Sequence, residues 1–219
     1  MGAMVAAVVG VGPGIGLAVA RRFAMAGMDV ALVARSGAKL EAYREALLPY
    51  GREVRGYVCD CSEQYELAKV FQDLRENLGS PDVLVYNASV LKEAPPSRLS
   101  PEGFIREFRT NCLGALVCAE EVLPDMRRRK QGTIIFTGGG LALKPRFALA
   151  SLSIGKGAIR TLALMLADEL EPEGIHVATV TVDGFVQPGT ALDRDRIAEE
   201  YWKLHQEVKG RWTRELLLQ

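Results

Sequence analysis

Histidine appears only at His176 and His205 in this chain of 219 residues, and aromatic residues make up 7% of it. Two histidines far apart in sequence, with no clustered ligands around them, give no zinc-binding pattern. Cysteine is also scarce. Cys59, Cys61, Cys112 and Cys118 have neither metal-ligand spacing nor the density of a disulfide framework, and they read as free thiols in a reducing compartment. An excess of charge is missing too: 27 Lys and Arg balance 27 Asp and Glu, so no overall field draws in nucleic acid or an anionic membrane. The first twenty residues, MGAMVAAVVGVGPGIGLAVA, carry no charged side chain, which would suit a secretory leader or a membrane span. The missing basic n-region, the glycines between Gly10 and Gly16 and the central Pro13 argue against both. The expectation is a cytoplasmic protein whose partners, recognised locally, include neither nucleic acid nor membrane.

What is present is an ordinary soluble composition, 48% hydrophobic and 25% charged, in a chain long enough for one sizeable domain over residues 1–219. Short β-branched runs alternate with longer helical patterns, without low-complexity linkers or internal repeats. That alternation predicts βαβ units, an α/β protein of the Rossmann type with a doubly wound parallel sheet. Strands are expected over residues 4–9, 29–34, 53–59, 82–87, 132–137 and 175–182, and RWTRELLLQ at the end can add a last edge strand. Most of these runs are apolar throughout, as strands covered by helices on both faces require. Helices are expected over residues 14–26, 38–50, 64–78, 101–129 and 151–171, with one more after Asp193. The 101–129 helix has Ser100 to cap it, Pro101 in its first turn and Glu102 favouring the dipole. Arg127, Arg128, Arg129 and Lys130 complement the dipole at its other end.

The stretch VVGVGPGIGLAVARRF sets Gly10, Gly12, Gly14 and Gly16 between the first strand and the first helix. Glycines there let the backbone turn sharply and approach a pyrophosphate, while the helix N-terminus offers N–H donors and a positive dipole. The NAD form of this motif places an acidic residue at the end of the second strand. Here that position is Ala34, followed by Arg35 and Ser36. Arg35 can pair with a 2′-phosphate and Ser36 can donate a hydrogen bond to it, so NADP(H) is favoured over NAD(H). Asp60, in CDCSE at the carboxyl edge of the sheet, can accept from the adenine amino group; it can also cap the next helix, a role open to Ser62 as well.

With these pieces in hand, the sequence resembles the short-chain dehydrogenase/reductase family over nearly its whole length. The matching elements are GVGPGIG, Asp60 after the third strand, NAS at Asn87, Asn111 in RTNCLGAL, the strand GTIIFTGG, and Lys156 in ASLSIGKGA. The resemblance implies a sheet of about seven parallel strands, an NAD(P)(H) cofactor and hydride transfer to or from a carbonyl. The cofactor-binding set it implies is Gly10, Gly12, Gly14, Ile15 and Gly16 in the loop, Arg35 and Ser36, Asp60 and Cys61, Asn87 and Ala88, and then Lys156 and Val186. It also implies a small-molecule substrate and a homodimer or homotetramer built on the apolar faces of CLGALVCAEEVL and GAIRTLALMLADEL.

The family's proton-donating Tyr corresponds to Leu152 and its Ser to Gly139, as in a divergent subgroup that lacks both. Neither Leu nor Gly carries a side-chain proton to donate, so Asn111 and Lys156 are the remaining catalytic candidates. Ser151, Ser153, Thr137 and Cys112 lie near in sequence, and none makes a persuasive substitute for the phenol. Asp183 stands where the family usually has Pro, and little sequence lies between Val186 and Asp193 to form a lid, which suggests an open pocket. Two expectations follow: an NADP(H)-dependent oxidoreductase acting on a small carbonyl or alcohol through an atypical site, or a nucleotide-binding pseudoenzyme acting as a sensor or subunit.

Overall fold

Alternate residues along each strand point to opposite faces of a sheet, and in this chain both sets are buried. In β1 (Val5–Val9), Val5, Ala7 and Val9 enter one core while Ala6 and Val8 enter the other. The same division holds for β2 (Asp29–Ala34), β4 (Val83–Tyr86), β5 (Gly132–Thr137) and β6 (Ile175–Val182). Each fully buried Val, Leu or Ile stabilises the fold by roughly 1.5–3 kcal/mol, so both faces need a helical layer. The computed structural model describes residues 3–50 and 52–219, within which all the predicted elements fall.

Seven parallel strands, including β3 (Val54–Val58) and β7 (Glu215–Leu218), form one sheet in the order β3-β2-β1-β4-β5-β6-β7. Helices α1 (Ile15–Met25), α2 (Gly37–Leu47) and α7 (Arg194–Gln206) cover one face. The other is covered by α3 (Gln64–Asn77), α5 (Gly114–Arg129) and α6 (Ala150–Leu170), with the short α4 (Pro101–Phe108) leading into α5. Helix α6 is long and apolar enough to cross a bilayer, yet Ile159, Ala163, Leu166, Ala167 and Leu170 bury that character against the sheet. The two histidines serve packing at the amino end of the sheet: His176 stacks on Trp212, and His205 Nδ1 meets Thr133 Oγ1 at 2.9 Å.

Most element boundaries agree with the sequence to within a residue or two, with three differences. The helix expected over 38–50 stops at Leu47 and tightens into a 3₁₀ turn, Leu48–Tyr50, around Pro49. The final strand is shorter than RWTRELLLQ and pairs only through Glu215–Leu218. The helix expected over 101–129 is interrupted by a π-helical turn, Arg109–Leu113, that separates α4 from α5. Buried Tyr86 donates its hydroxyl to the Thr110 carbonyl in that turn at 2.6 Å. A Cβ on Gly114 would lie 2.4 Å from the same hydroxyl, so a small residue is needed where the helix resumes.

Four glycines follow β1, and they do different work. Gly10 has φ +85°, and a Cβ there would lie 2.3 Å from the Ala88 nitrogen at the end of β4. Gly16 sits on the Gly10 carbonyl, where a Cβ would be 2.9 Å from the oxygen. Gly12 and Gly14 face open space, with nothing within 4 Å of an added Cβ. Gly10→Ala should therefore cost about 2 kcal/mol or more, from backbone strain and collision, a fall of roughly 4–8 °C in melting temperature. Gly12→Ala should leave the melting temperature unchanged. Equal effects of the two substitutions in thermal denaturation would contradict this division of roles.

Candidate active site

The chain order reverses between β1 and β4, since β2 and β3 build outward on one side and β5 to β7 on the other. Open α/β sheets bind ligands beyond the carboxyl ends of their strands at such a reversal. A groove lies there, made of two cavities that share Gly12, Asn87 and Ser89. The smaller, about 280 Å³, is bounded by Gly10, Ala34, Arg35, Asp60, Cys61, Ala88 and Thr110 among others. The larger, about 530 Å³, runs from Gly14, Ile15 and Gly16 past Gly138–Gly140 and Lys156 to Asp183 and Val186.

The smaller cavity has the features of a nucleoside site. Arg35 is exposed at its edge, just beyond the end of β2. Asp60 faces it, with Oδ1 accepting from the Ser62 N–H at 2.9 Å. Helix α3 begins at Gln64 after Glu63, so neither Asp60 nor Ser62 is its capping residue. Cys61 is buried, and desolvation pushes its thiol up to about 12, which leaves it an inert part of the wall. Asn87 donates from Nδ2 to the Gly10 carbonyl at 2.9 Å and so closes the β1 turn onto β4. Ser36 does not reach the cavity: its Oγ accepts from the Lys39 N–H at 3.5 Å and caps α2.

At the junction of the cavities the unobstructed backbone of Gly12 and Gly14 meets the amino end of α1, a cradle for an anion. Pro13 between them is held from α7, where Arg194 donates to its carbonyl at 2.6 Å. A dinucleotide fits these residues: a continuous groove, glycines whose missing side chains leave room for a pyrophosphate, and Arg35 and Asp60 at the far end.

Lys156 projects from α6 into the larger cavity, and its Nζ donates to the Thr137 carbonyl at 2.7 Å. Burial lowers its pKa to about 8, because the ammonium loses water that the surrounding protein does not replace. The end of β5 is fixed from the opposite side as well, where Thr137 Oγ1 and the buried Tyr201 hydroxyl are 2.7 Å apart. Leu152, one turn before Lys156, is 6% exposed, and the larger cavity that Lys156 lines has Leu141 and Leu149 elsewhere in its wall. Among the described residues, no tyrosine or histidine lines either cavity.

The run Gly138–Gly140 separates into required and replaceable positions. A Cβ on Gly138 would lie 2.8 Å from Thr181 Oγ1, and one on Gly140 would collide with Asp183 Oδ1. At Gly139 the backbone is extended, and a Cβ would make ordinary contacts of 3.5–3.7 Å with the Lys156 side chain. Packing therefore dictates glycine on both sides of position 139 and leaves 139 itself open to a larger residue.

Asn111 lies outside the walls of the groove. It is 2% exposed, and it accepts from the Val90 N–H at 2.7 Å and donates to the Val90 carbonyl at 3.3 Å. It thus pins the loop after β4, and Gly155 of α6 must lack a side chain to pass it. The other candidates near Leu152 are occupied or enclosed. Ser153 Oγ bonds the Arg146 backbone, while Ser151 and Cys112 are buried.

Ser89 of the NAS segment lines both cavities, and several residues of the larger wall carried no sequence signal: Leu91, Lys144, Arg146, Leu149 and Phe185. These five come from irregular segments or isolated bridges outside the main sheet and helices. The link from β6 to α7 is a set of turns that leaves Phe185 85% exposed at the mouth.

Comparison with known proteins agrees with this geometry. The family model for short chain dehydrogenase matches residues 4–199. The 3-oxoacyl-[acyl-carrier-protein] reductase of Bos taurus is 30% identical over 189 residues, 86% of this chain and 78% of the relative. A metagenomic short-chain oxidoreductase in complex with NADP superposes with a TM-score of 0.91 at 27% identity, over 100% of this chain and 97% of that one. An alcohol dehydrogenase from the archaeon Thermococcus sibiricus, complexed with 5-hydroxy-NADP, gives 0.87 at 26% identity, over 98% and 95%. From the match that runs from β1 into α7, together with the relatives that align along most of its length, the chain belongs to the short chain dehydrogenase family.

Proposed function

We propose that the protein is an NADP(H)-dependent oxidoreductase that reduces a small carbonyl compound with Lys156 as the proton source. The observation that carries the reading is the Lys156 ammonium at the cavity wall, with Leu152 and Gly139 where the resemblance expects Tyr and Ser. The NADP complexes among the structural neighbours support the choice of cofactor.

In this reading the Gly12–Gly16 turn and the amino end of α1 hold the pyrophosphate, Arg35 pairs with the 2′-phosphate, and Asp60 accepts from the adenine. Bound nicotinamide supplies the hydride. Lys156 hydrogen-bonds the adjoining ribose and donates to the carbonyl oxygen as negative charge gathers there. Its proton passes to that oxygen and is replaced from solvent. A group of pKa about 8 suits this task, since it is charged at neutral pH and still acidic enough to give up its proton. The second reading, a nucleotide-binding pseudoenzyme that senses NADP(H), is favoured by the lack of a phenol in the wall. It differs in requiring binding without turnover.

Two measurements test these statements. Calorimetry should find NADPH bound at least about tenfold more tightly than NADH, as a charge-assisted pair with the 2′-phosphate requires, and Arg35→Ala should erase the difference. Equal affinities in the unaltered protein would contradict the role of Arg35. The rate of carbonyl reduction should be constant below pH 8 and fall above it, because the acting form of Lys156 is the protonated one lost through its pKa of about 8. Lys156→Met should lower the rate by roughly 10²–10⁴-fold and remove that pH dependence. Bound NADPH with no turnover at any pH would favour the pseudoenzyme.

A further inference from the structure

The substrate side of the larger cavity is charged in one direction. Its ionisable wall residues are Lys144, Arg146, Lys156 and Asp183. The carboxylate of Asp183 is already engaged, with Lys144 Nζ at 3.8 Å and Gln219 Nε2 donating at 3.3 Å. Lys156 is held by the Thr137 carbonyl. Arg146 is different: among the described residues its guanidinium enters no ion pair or hydrogen bond, while its backbone is tied down. The Arg146 N–H donates to Ser153 Oγ at 3.2 Å, and its carbonyl accepts from that hydroxyl at 3.4 Å and from the Leu149 N–H at 3.0 Å. Buried Ser153 thus fixes the base of Arg146 to the helix that carries Lys156, and Leu149 forms a parallel bridge to Ala94 on the other side.

The same wall is otherwise apolar, through Leu91, Leu141, Leu149 and Phe185. An exposed, unpaired guanidinium on an anchored backbone, lining a cavity with aliphatic side chains, matches an anionic group on an aliphatic body, and Arg pairs a carboxylate through two parallel N–H donors. We propose that the carbonyl substrate carries a carboxylate that pairs with Arg146, with its aliphatic part against Leu91, Leu141 and Leu149; this rests on the reductase reading above. Arg146 is attached to α6 and the segment before it, whereas the anion cradle for a dinucleotide lies at the start of α1. On this assignment Arg146 is a specificity residue for the substrate, and NADP⁺ affinity is the property that separates it from the cofactor site.

The test is calorimetric titration of protein saturated with NADP⁺, using 2-, 4- and 5-oxohexanoate and their methyl esters. At least one oxo acid should bind about tenfold more tightly than its ester. Arg146→Ala should reduce the acid to the affinity of the ester, Arg146→Lys should restore part of the difference, and NADP⁺ affinity should be the same in all three proteins. Acids and esters that bind equally or not at all to the NADP⁺ complex would overturn the proposal while leaving the reductase reading intact. A preference that survives Arg146→Ala would overturn the assignment to Arg146, and an Arg146→Ala protein that loses NADP⁺ would move the residue to the cofactor site. A protein that binds no NADP⁺ would overturn both readings.

Discussion

The close approach of two backbones, at Gly10 after β1 and Ala88 after β4, sets the geometry of everything above the sheet. The strands are hydrogen-bonded neighbours whose chains leave in opposite directions, so their ends diverge and open the groove. The gap stays narrow at its base because Gly10 adopts a positive φ without a side chain and Asn87 donates across to its carbonyl. Gly16 then lets α1 settle onto the same carbonyl. This contact aligns the amino end of α1 with the open backbone of Gly12 and Gly14, and it fixes where a phosphate can sit relative to Lys156.

The second half of the site is organised around the carbonyl end of β5. Thr137 gives its carbonyl to Lys156 on one side and its hydroxyl to Tyr201 on the other, so α6 and α7 clamp a single strand end. The lysine is oriented by the Thr137 carbonyl, and burial shifts it toward neutrality. Glycine at position 139 is not imposed by packing, unlike Gly138 and Gly140. A Cβ there would meet the Lys156 side chain at ordinary contact distances of 3.5–3.7 Å.

The strands and the glycine turn were legible in the sequence because each follows from a local rule. Burial on both faces leaves apolar runs, and a strand–turn–helix junction with Gly10 and Gly16 concentrates glycine where backbones touch. The π turn at Arg109–Leu113 was not legible: the groups that hydrogen-bond to it, the Tyr86 hydroxyl and the Val90 backbone, are distant in sequence. For the same reason Asn111 carries its motif but not its placement, since its amide is spent on the Val90 backbone. Ser36 read as a phosphate ligand, and the structure adds a role the sequence did not show, since its Oγ also accepts from the Lys39 N–H and caps α2. Arg146, Lys144 and Phe185 occupy irregular loops with no periodic pattern, and only their arrival at one cavity identifies them.

Isotope tracing tests hydride transfer in this groove with Lys156 as the acid. NADPH deuterated at the transferring position would be mixed with stoichiometric protein and the oxo acids in a single turnover, and the products analysed by mass spectrometry. One deuterium is expected on the new carbinol carbon with the unaltered protein, and little or none in the same time with Lys156→Met. Absence of deuterium from the product, with both NADPH and an oxo acid shown to be bound to the unaltered protein, would contradict it.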